Sequence, residues 1–276
     1  MATGPPADGA SLVVVKLGGS VLTRKARAES LRPKVLARLA REIARADGVR
    51  IVLLHGAGSF GHPGARRFRL ASPPEPGARS EHRLRGAAIV SSEVLRLHLA
   101  VVRALVAAGA NPISMPPHLY ATLRDGRLAS LDLTALRRTV DAGALPVAFG
   151  DVVPDEHWGF GILSADEIAV RLAEEWRPSR VLFVSDVPGV LAPRGAGRPR
   201  LIESLSETTD VEPVTQGGRA DVTGGIRAKV DAMRRIAHAG VDVGLISGLS
   251  DGLLYRALRG ETVYGSWWGR HVEGSR

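Results

Sequence analysis

Lysine is scarce in this chain. Of 37 basic residues only four are lysines, Lys16, Lys25, Lys34 and Lys229, and three of these fall within or just after glycine-containing turns. A compact ammonium on a flexible stem can follow a moving phosphate better than a planar guanidinium fork, so the scarce lysines are the first candidates for anion chemistry. Lys16 ends an apolar run and leads into Leu17-Gly18-Gly19-Ser20. Paired glycines after a buried strand let the backbone approach a ligand closely and turn several N–H groups towards an anion. The same glycines would serve a tight strand exit. The lysine favours a site, because the end of a sheet-core strand rarely carries a charge without a partner.

A second apolar run leads into His55-Gly56-Ala57-Gly58-Ser59-Phe60-Gly61-His62. Gly56 to Gly61 match the spacing of the dinucleotide fingerprint G-x-G-x-x-G. That fingerprint requires a helix opening directly and a further strand ending in Asp or Glu about 20 residues on. Pro73-Pro74-Glu75-Pro76-Gly77 occupies that region and cannot be such a strand. The segment reads better as a second anion cradle facing the first across adjacent parallel strands. His62 follows its last glycine, where an imidazole can donate a hydrogen bond to a bound phosphate; His55 reads as a structural histidine. The Walker pattern G-x-x-x-x-G-K-[ST] is absent, which disfavours an ordinary P-loop NTPase.

A third cluster, Asp221-Val222-Thr223-Gly224-Gly225-Ile226-Arg227-Ala228-Lys229, opens a predicted helix with Thr223 as N-cap. Free N–H groups and the macrodipole attract phosphate there, and Lys229 lies about one turn in. A capped surface helix would have the same local sequence. Ser185-Asp186-Val187-Pro188-Gly189-Val190 offers another turn at a strand end. Asp166 sits at the start of a predicted helix, where it either complements the helix dipole or holds the active-site lysines in place.

These residues need a scaffold. Apolar, β-branched runs at Leu12–Leu17, Arg50–Leu54, Leu145–Phe149, Val181–Ser185 and Val241–Ile246 read as strands buried on both faces. Helical patterns lie between them, at Pro33–Ala46, Glu81–Ala108, Leu133–Ala142, Ala165–Glu175 and Gly225–Ala239. Ser164 with Glu167 is a capping-box signature for the fourth. The alternation predicts an α/β protein with a mainly parallel sheet covered by helices. Asp125-Gly126 and His157-Trp158-Gly159 mark inserted β-hairpins. Pro73–Gly77 and Arg194–Arg200 read as surface loops. The expected organisation is a disordered tail over 1–10, an N-terminal lobe over 11–163 and a C-terminal lobe over 164–276.

Composition excludes several classes. With 45% hydrophobic and 24% charged residues over 276 positions, the chain is an ordinary globular mixture rather than a disordered one. No window reaches the roughly 18 to 20 apolar residues of a membrane span, and the polar start lacks a signal-peptide pattern. The absence of cysteine removes disulfide and thiolate chemistry and agrees with a cytoplasmic location. The formal charge of +9 invites a nucleic-acid reading, but the arginines are spread along the chain without interleaved aromatics. No nucleic acid or membrane partner is expected.

Taken in order, Lys16-Leu17-Gly18-Gly19-Ser20 with Lys25, Gly58-Ser59-Phe60-Gly61-His62, Gly150-Asp151-Val152, Ser164-Ala165-Asp166, Ser185-Asp186-Val187 and Thr223-Gly224-Gly225 with Lys229 resemble the amino acid kinase superfamily. Within it the pattern is most similar to isopentenyl phosphate kinases, over about residues 11 to 265. The resemblance implies an open αβα sandwich, usually a homodimer, using ATP and Mg²⁺. It implies that Lys16 and Lys25 bind the transferring phosphoryl group, that Asp166 organises the lysines and that His62 binds an acceptor phosphate. It places acceptor contacts at Ala57, His62, Gly150 and Gly161. Nucleotide contacts fall at Lys16, Gly18, Gly19, Ser20, Gly58, Asp186, Gly189, Gly225 and Lys229, with no side-chain metal ligand assigned. An apolar acceptor tail would lie along Gly86–Val94. Ala57 and Ala165 depart from the glycines that many members carry there. Fosfomycin kinase, or another phosphate or phosphonate kinase of the same fold, is the nearest alternative. A nucleotide- or dinucleotide-binding protein without catalysis is the alternative from another class.

Overall fold

The computed structural model describes residues 10–24, 28–75, 80–192, 199–207, 209 and 225–268. In chain order the first half contains β1 (Ser11–Leu17), α1 (Gly19–Leu22), α2 (Pro33–Ala44), β2 (Val49–His55), α3 (Gly58–Arg67), α4 (Ser80–Ala107), β3 (Pro112–Ser114), β4 (Ala121–Arg124) and β5 (Arg127–Leu131). It continues with α5 (Thr134–Asp141), β6 (Leu145–Phe149), β7 (Asp151–Asp155), β8 (Gly159–Leu163), α6 (Ala165–Trp176) and β9 (Arg180–Ser185). The last part contains β10 (Val190–Ala192), β11 (Arg200–Ile202), α7 (Gly225–His238), β12 (Asp242–Ser247), α8 (Leu253–Leu258) and β13 (Gly265–Trp268).

The main sheet has seven strands in the order β13-β12-β9-β1-β2-β6-β3. All neighbours pair in parallel except β13, which runs antiparallel to β12. The predicted α/β sandwich is therefore the observed architecture. β1 lies between β2 and β9, the point at which strand order departs from chain order, and ligand crevices in open α/β sheets form outside the carboxyl ends of strands at such a point.

Strand alternation decides which residues of β1 face which layer. Val13, Val15 and Leu17 pack with α1, α2, α4 and α8. Leu12 and Val14 pack on the opposite side with α5, α6 and α7. Lys16 shares the parity of Leu12 and Val14, so it is directed at the α6–α7 layer before any charge is considered.

The two hairpin signals both form turns, and together they build a four-stranded sheet in the order β5-β4-β7-β8. Asp125 and Gly126 have φ of 53° and 73°, as a two-residue hairpin turn of the I′ kind requires. A third apolar cluster, Phe68, Leu70, Ala87, Val90, Val94, Phe149 and Val152, lies where α3 and α4 meet β6 and β7.

Three expectations change. The glycine segment after β2 is not an extended loop, because α3 opens at Gly58. One condition of the dinucleotide fingerprint is thus met. The other fails as anticipated, since α4 rather than a strand follows. The capping box is half formed. Ser164 Oγ accepts from Asp166 N at 3.1 Å, whereas the Glu167 carboxylate is drawn 2.6 Å from Arg235 Nη1 on α7. Gly265–Trp268, which carried no sequence signal, supplies the antiparallel edge strand β13.

Candidate active site

Lys16 ends its side chain 2.6 Å from Asp166 Oδ1 at the start of α6. Lys229, on the second turn of α7, lies 3.3 Å from Asp166 Oδ2. The three groups are largely enclosed, with side-chain exposures of 8% for Lys16, 17% for Asp166 and 13% for Lys229. Both ammonium groups also stand over the Phe183 ring of β9, at 6.0 and 5.3 Å from its centroid. Two cations share one anion, so the junction carries a net positive charge into the crevice.

The titration of the group follows from this geometry. Burial pushes Lys16 down from 10.5 to about 8, with Asp166 opposing the shift and Lys229 adding to it. Burial alone would raise Asp166, but Lys16 and Lys229 hold its carboxyl well below the usual range. Asp166 is therefore an anion at neutral pH and the pair remains ionic.

The two glycine segments meet in front of this junction. A Cβ built on Gly19 would lie 2.4 Å from Gly58 N and 2.5 Å from Gly58 Cα, and one on Gly56 would lie 2.9 Å from Gly19 N. Only hydrogen at these positions permits the backbones to approach so closely. Thr23 joins them: its hydroxyl donates to Gly19 O at 2.8 Å and accepts from Ser59 N at 2.9 Å. The first turn is tied to β9 by Gly18 N–H donating to Val184 O at 2.7 Å. Ser20 Oγ donates to Asp186 Oδ1 at 2.5 Å.

Other sequence-predicted residues are placed less centrally. His62 is exposed on α3, one turn beyond Gly58. Ala57 precedes that helix as its N-cap. Gly150 donates to His55 O at 2.9 Å, and a Cβ on it would lie 3.2 Å from Ala165 N, so it admits the start of α6. Gly161 belongs to β8, where a Cβ would meet Leu123 Cδ1 at 2.8 Å. Gly189 packs against Ser266 and Leu201, and Gly225 opens α7. Lys25, Thr223 and Gly224 lie outside the described residues. Along Gly86–Val94, a Cβ on Gly86 would sit 2.3 Å from Phe68 Cγ, while Val94 and Val90 approach Gly61 and Gly64.

Sequence reasoning missed Thr23, Arg83 and His98. Arg83 donates to the carbonyls of Arg69, Leu70, Ser72 and Phe160, fastening the segment after α3 to β8. Nothing local marks this role in an arginine-rich helix. Thr23 carries only a faint signal, as a hydroxyl shortly after a glycine pair.

Chemically, the arrangement offers closely packed main-chain N–H groups and two ammonium ions fixed by one carboxylate, a receptor for a polyphosphate and for charge shifting between phosphoryl oxygens.

The chain is similar to known proteins. The model of the amino acid kinase family matches residues 11–247. The isopentenyl phosphate kinase of Methanothermobacter thermautotrophicus is 34% identical, over 92% of this chain and 98% of its own. That of Haloferax volcanii is 37% identical, over 89% and 99% respectively. A crystal structure of an isopentenyl phosphate kinase matches with a TM-score of 0.82 at 31% identity, covering 93% of this chain and 99% of that one.

Proposed function

We propose a reaction for this chain, which belongs to the amino acid kinase family: transfer of a phosphoryl group from ATP to isopentenyl phosphate, giving isopentenyl diphosphate. The enzyme is a phosphotransferase with a phosphate group as acceptor, in keeping with its relatives of 34% and 37% identity. The observation that carries the mechanism is the Lys16–Asp166–Lys229 junction beneath two abutting glycine segments.

Phosphoryl transfer requires chiefly alignment and charge stabilisation. An alkyl phosphate has a second pKa near ~6, so at pH 7 it is already mostly the dianionic nucleophile and no general base is needed. Lys16 and Lys25 would neutralise charge developing on the transferred group, with Asp166 fixing the direction of Lys16. His62 and the Ala57 backbone would hold the acceptor phosphate. Gly18, Gly19, Ser20, Gly58, Asp186, Gly189, Gly225 and Lys229 would surround the nucleotide. Among the described residues no three His, Asp or Glu side chains gather into a metal cage. Mg²⁺ is commonly carried by nucleotide phosphates, water and one or two carboxylates; Asp186, which accepts from Ser20 beside the first glycine turn, would be such a carboxylate. Such an ion would supply charge neutralisation on the phosphate oxygens.

In this reading residues 11–163 form the acceptor lobe and 164–276 the ATP lobe. A homodimer fits the exposed apolar residues Leu84, Leu95, Leu99 and Val106 along α4. Among the described residues no helix is long and apolar enough to cross a membrane, and we assign the enzyme to the cytoplasm. An ADP-release assay over isopentenyl phosphate, dimethylallyl phosphate, fosfomycin and acetylglutamate tests the acceptor. Preference for isopentenyl phosphate, lost in His62→Ala, is expected; full activity of His62→Ala would sink the role of that histidine, and preference for fosfomycin would sink the substrate.

A further inference from the structure

Two buried histidines take no part in the chemistry above. His55, at the end of β2, has no exposed surface, and His98, in the middle of α4, is 4% exposed. His55 Nδ1 lies 3.1 Å from Gly56 O, and His55 Nε2 lies 3.0 Å from His98 Nδ1. His98 Nε2 lies 2.6 Å from Ser114 Oγ on β3. The Phe149 ring covers both imidazoles, at centroid distances of 5.4 and 4.3 Å.

The partners fix where the protons sit. A carbonyl oxygen only accepts, so His55 Nδ1 carries hydrogen. In the neutral ring Nε2 is then bare and accepts from His98 Nδ1–H. His98 Nε2 in turn is bare and accepts from the Ser114 hydroxyl. Burial keeps both rings neutral, lowering His55 to about 3, with His98 adding to the shift, and His98 to about 4. The hydrogen bonds therefore run in one direction, from Ser114 through His98 and His55 to the carbonyl of Gly56.

That carbonyl belongs to the peptide that leads into α3. The Gly56–Ala57 peptide is trans, so its C=O and the Ala57 N–H project to opposite sides of one plane. The Gly56 N–H is separately held by Leu17 O at 2.9 Å. With the oxygen turned to His55, the Ala57 N–H is turned the other way, and among the described residues no acceptor meets it. We infer that His98 is a positioning residue for the acceptor phosphate: through His55 it sets the plane of the Gly56–Ala57 peptide so that the Ala57 N–H is presented to that phosphate. The inference rests on the acceptor site proposed above and adds residues that do not themselves touch substrate.

His98→Leu fills much of the buried space without a donor, whereas His98→Asn places an amide nitrogen near the position of Nδ1. In the full chain, His98→Leu should raise KM for isopentenyl phosphate about tenfold, the value of one hydrogen bond to a charged group, with KM for ATP within about twofold. His98→Asn should return KM for isopentenyl phosphate to within about threefold of the parent. Unchanged acceptor KM in His98→Leu, an equal rise in both KM values, or no recovery with Asn would overturn the inference. Two measurements on the ¹⁵N-labelled parent do not depend on the variants folding. Both histidines should be Nδ1–H tautomers, and the Ala57 amide resonance should shift on titration with inorganic phosphate. An Nε2–H tautomer at His55, or an unmoved Ala57 amide, would overturn it. Inactivity on isopentenyl phosphate with the phosphate-dependent Ala57 shift intact would instead remove the assigned substrate and leave the positioning device standing.

Discussion

Replacing Gly19 by alanine tests whether contact between the two glycine segments sets the reaction geometry. The new Cβ would stand 2.4 Å from Gly58 N and 2.5 Å from Gly58 Cα, where ordinary contact begins at 3.4 Å. The segments must therefore part by about 1 Å, and because the obstacle is main chain no rotamer change relieves it. The contact is equally close from the other side, where Gly58, with φ at 51°, has a site for its own Cβ only 2.8 Å from Gly19 O and closer still to Thr23 Oγ1. A displacement of about 1 Å in an aligned site costs about 10²-fold in rate, or about 2.7 kcal/mol of barrier. Overpacking should lower stability by about 1–3 kcal/mol, leaving the protein folded at 25 °C. ADP release at saturating ATP and isopentenyl phosphate measures the first quantity and thermal unfolding the second. Gly18→Ala is the companion variant. Its Cβ would be 3.0 Å from Val184 O and 3.7 Å from the next atom, so a shift of a few tenths of an ångström suffices and the loss should stay below about tenfold. Gly19→Ala activity within about threefold of the parent, or a greater loss in Gly18→Ala, would refute the reasoning.

Asp166→Asn leaves Lys16 and Lys229 facing each other without their shared anion, and should cost up to about 3 kcal/mol in urea unfolding, along with most of the activity. As pH falls below about 4 the parent should progressively lose the same stability, because a carboxylate held below its unfolded pKa contributes fully only while the unfolded form is ionised and nothing once the folded form is protonated too. Lys16 gives the opposite alkaline signature. With its pKa at about 8 instead of 10.5, kcat/KM should fall as pH rises through about 8, while folding stability gains over that window because the unfolded chain binds the proton more tightly. Lys16→Arg, which stays charged, should be slower and lack that alkaline limb. Arg83→Met removes the donor to four carbonyls and should cost about 2 kcal/mol, with faster amide exchange over residues 69–72 and Phe160.

Much of this protein is written locally. The apolar runs at Leu12–Leu17, Arg50–Leu54 and Val181–Ser185 announce buried parallel strands, because a strand covered on both faces has no polar side to show. Ser164 announces the start of α6, because an oxygen there meets an orphan N–H. The parity of β1 even states that Lys16 faces the same layer as Leu12 and Val14. Strand and helix periods are properties of a few consecutive residues, so one sequence suffices to read them.

What faces Lys16 is a different matter. Asp166 lies in the first turn of α6, as a dipole partner would, and only the packing of α6 and α7 on one face of β1 also brings it between Lys16 and Lys229, joining residues 63 positions apart in the Lys229–Asp166 pair alone. The same holds for His98, which a helical pattern shows only as one polar residue among apolar ones until β2, β3 and Phe149 close around it. Edge strand β13 lacks the apolar run of a central strand, since its place is decided by β12 beside it. Hydrogen-bond partners and pKa shifts arise from distances between elements, and those distances are set when layers pack on the sheet, not by the order of residues along any one of them.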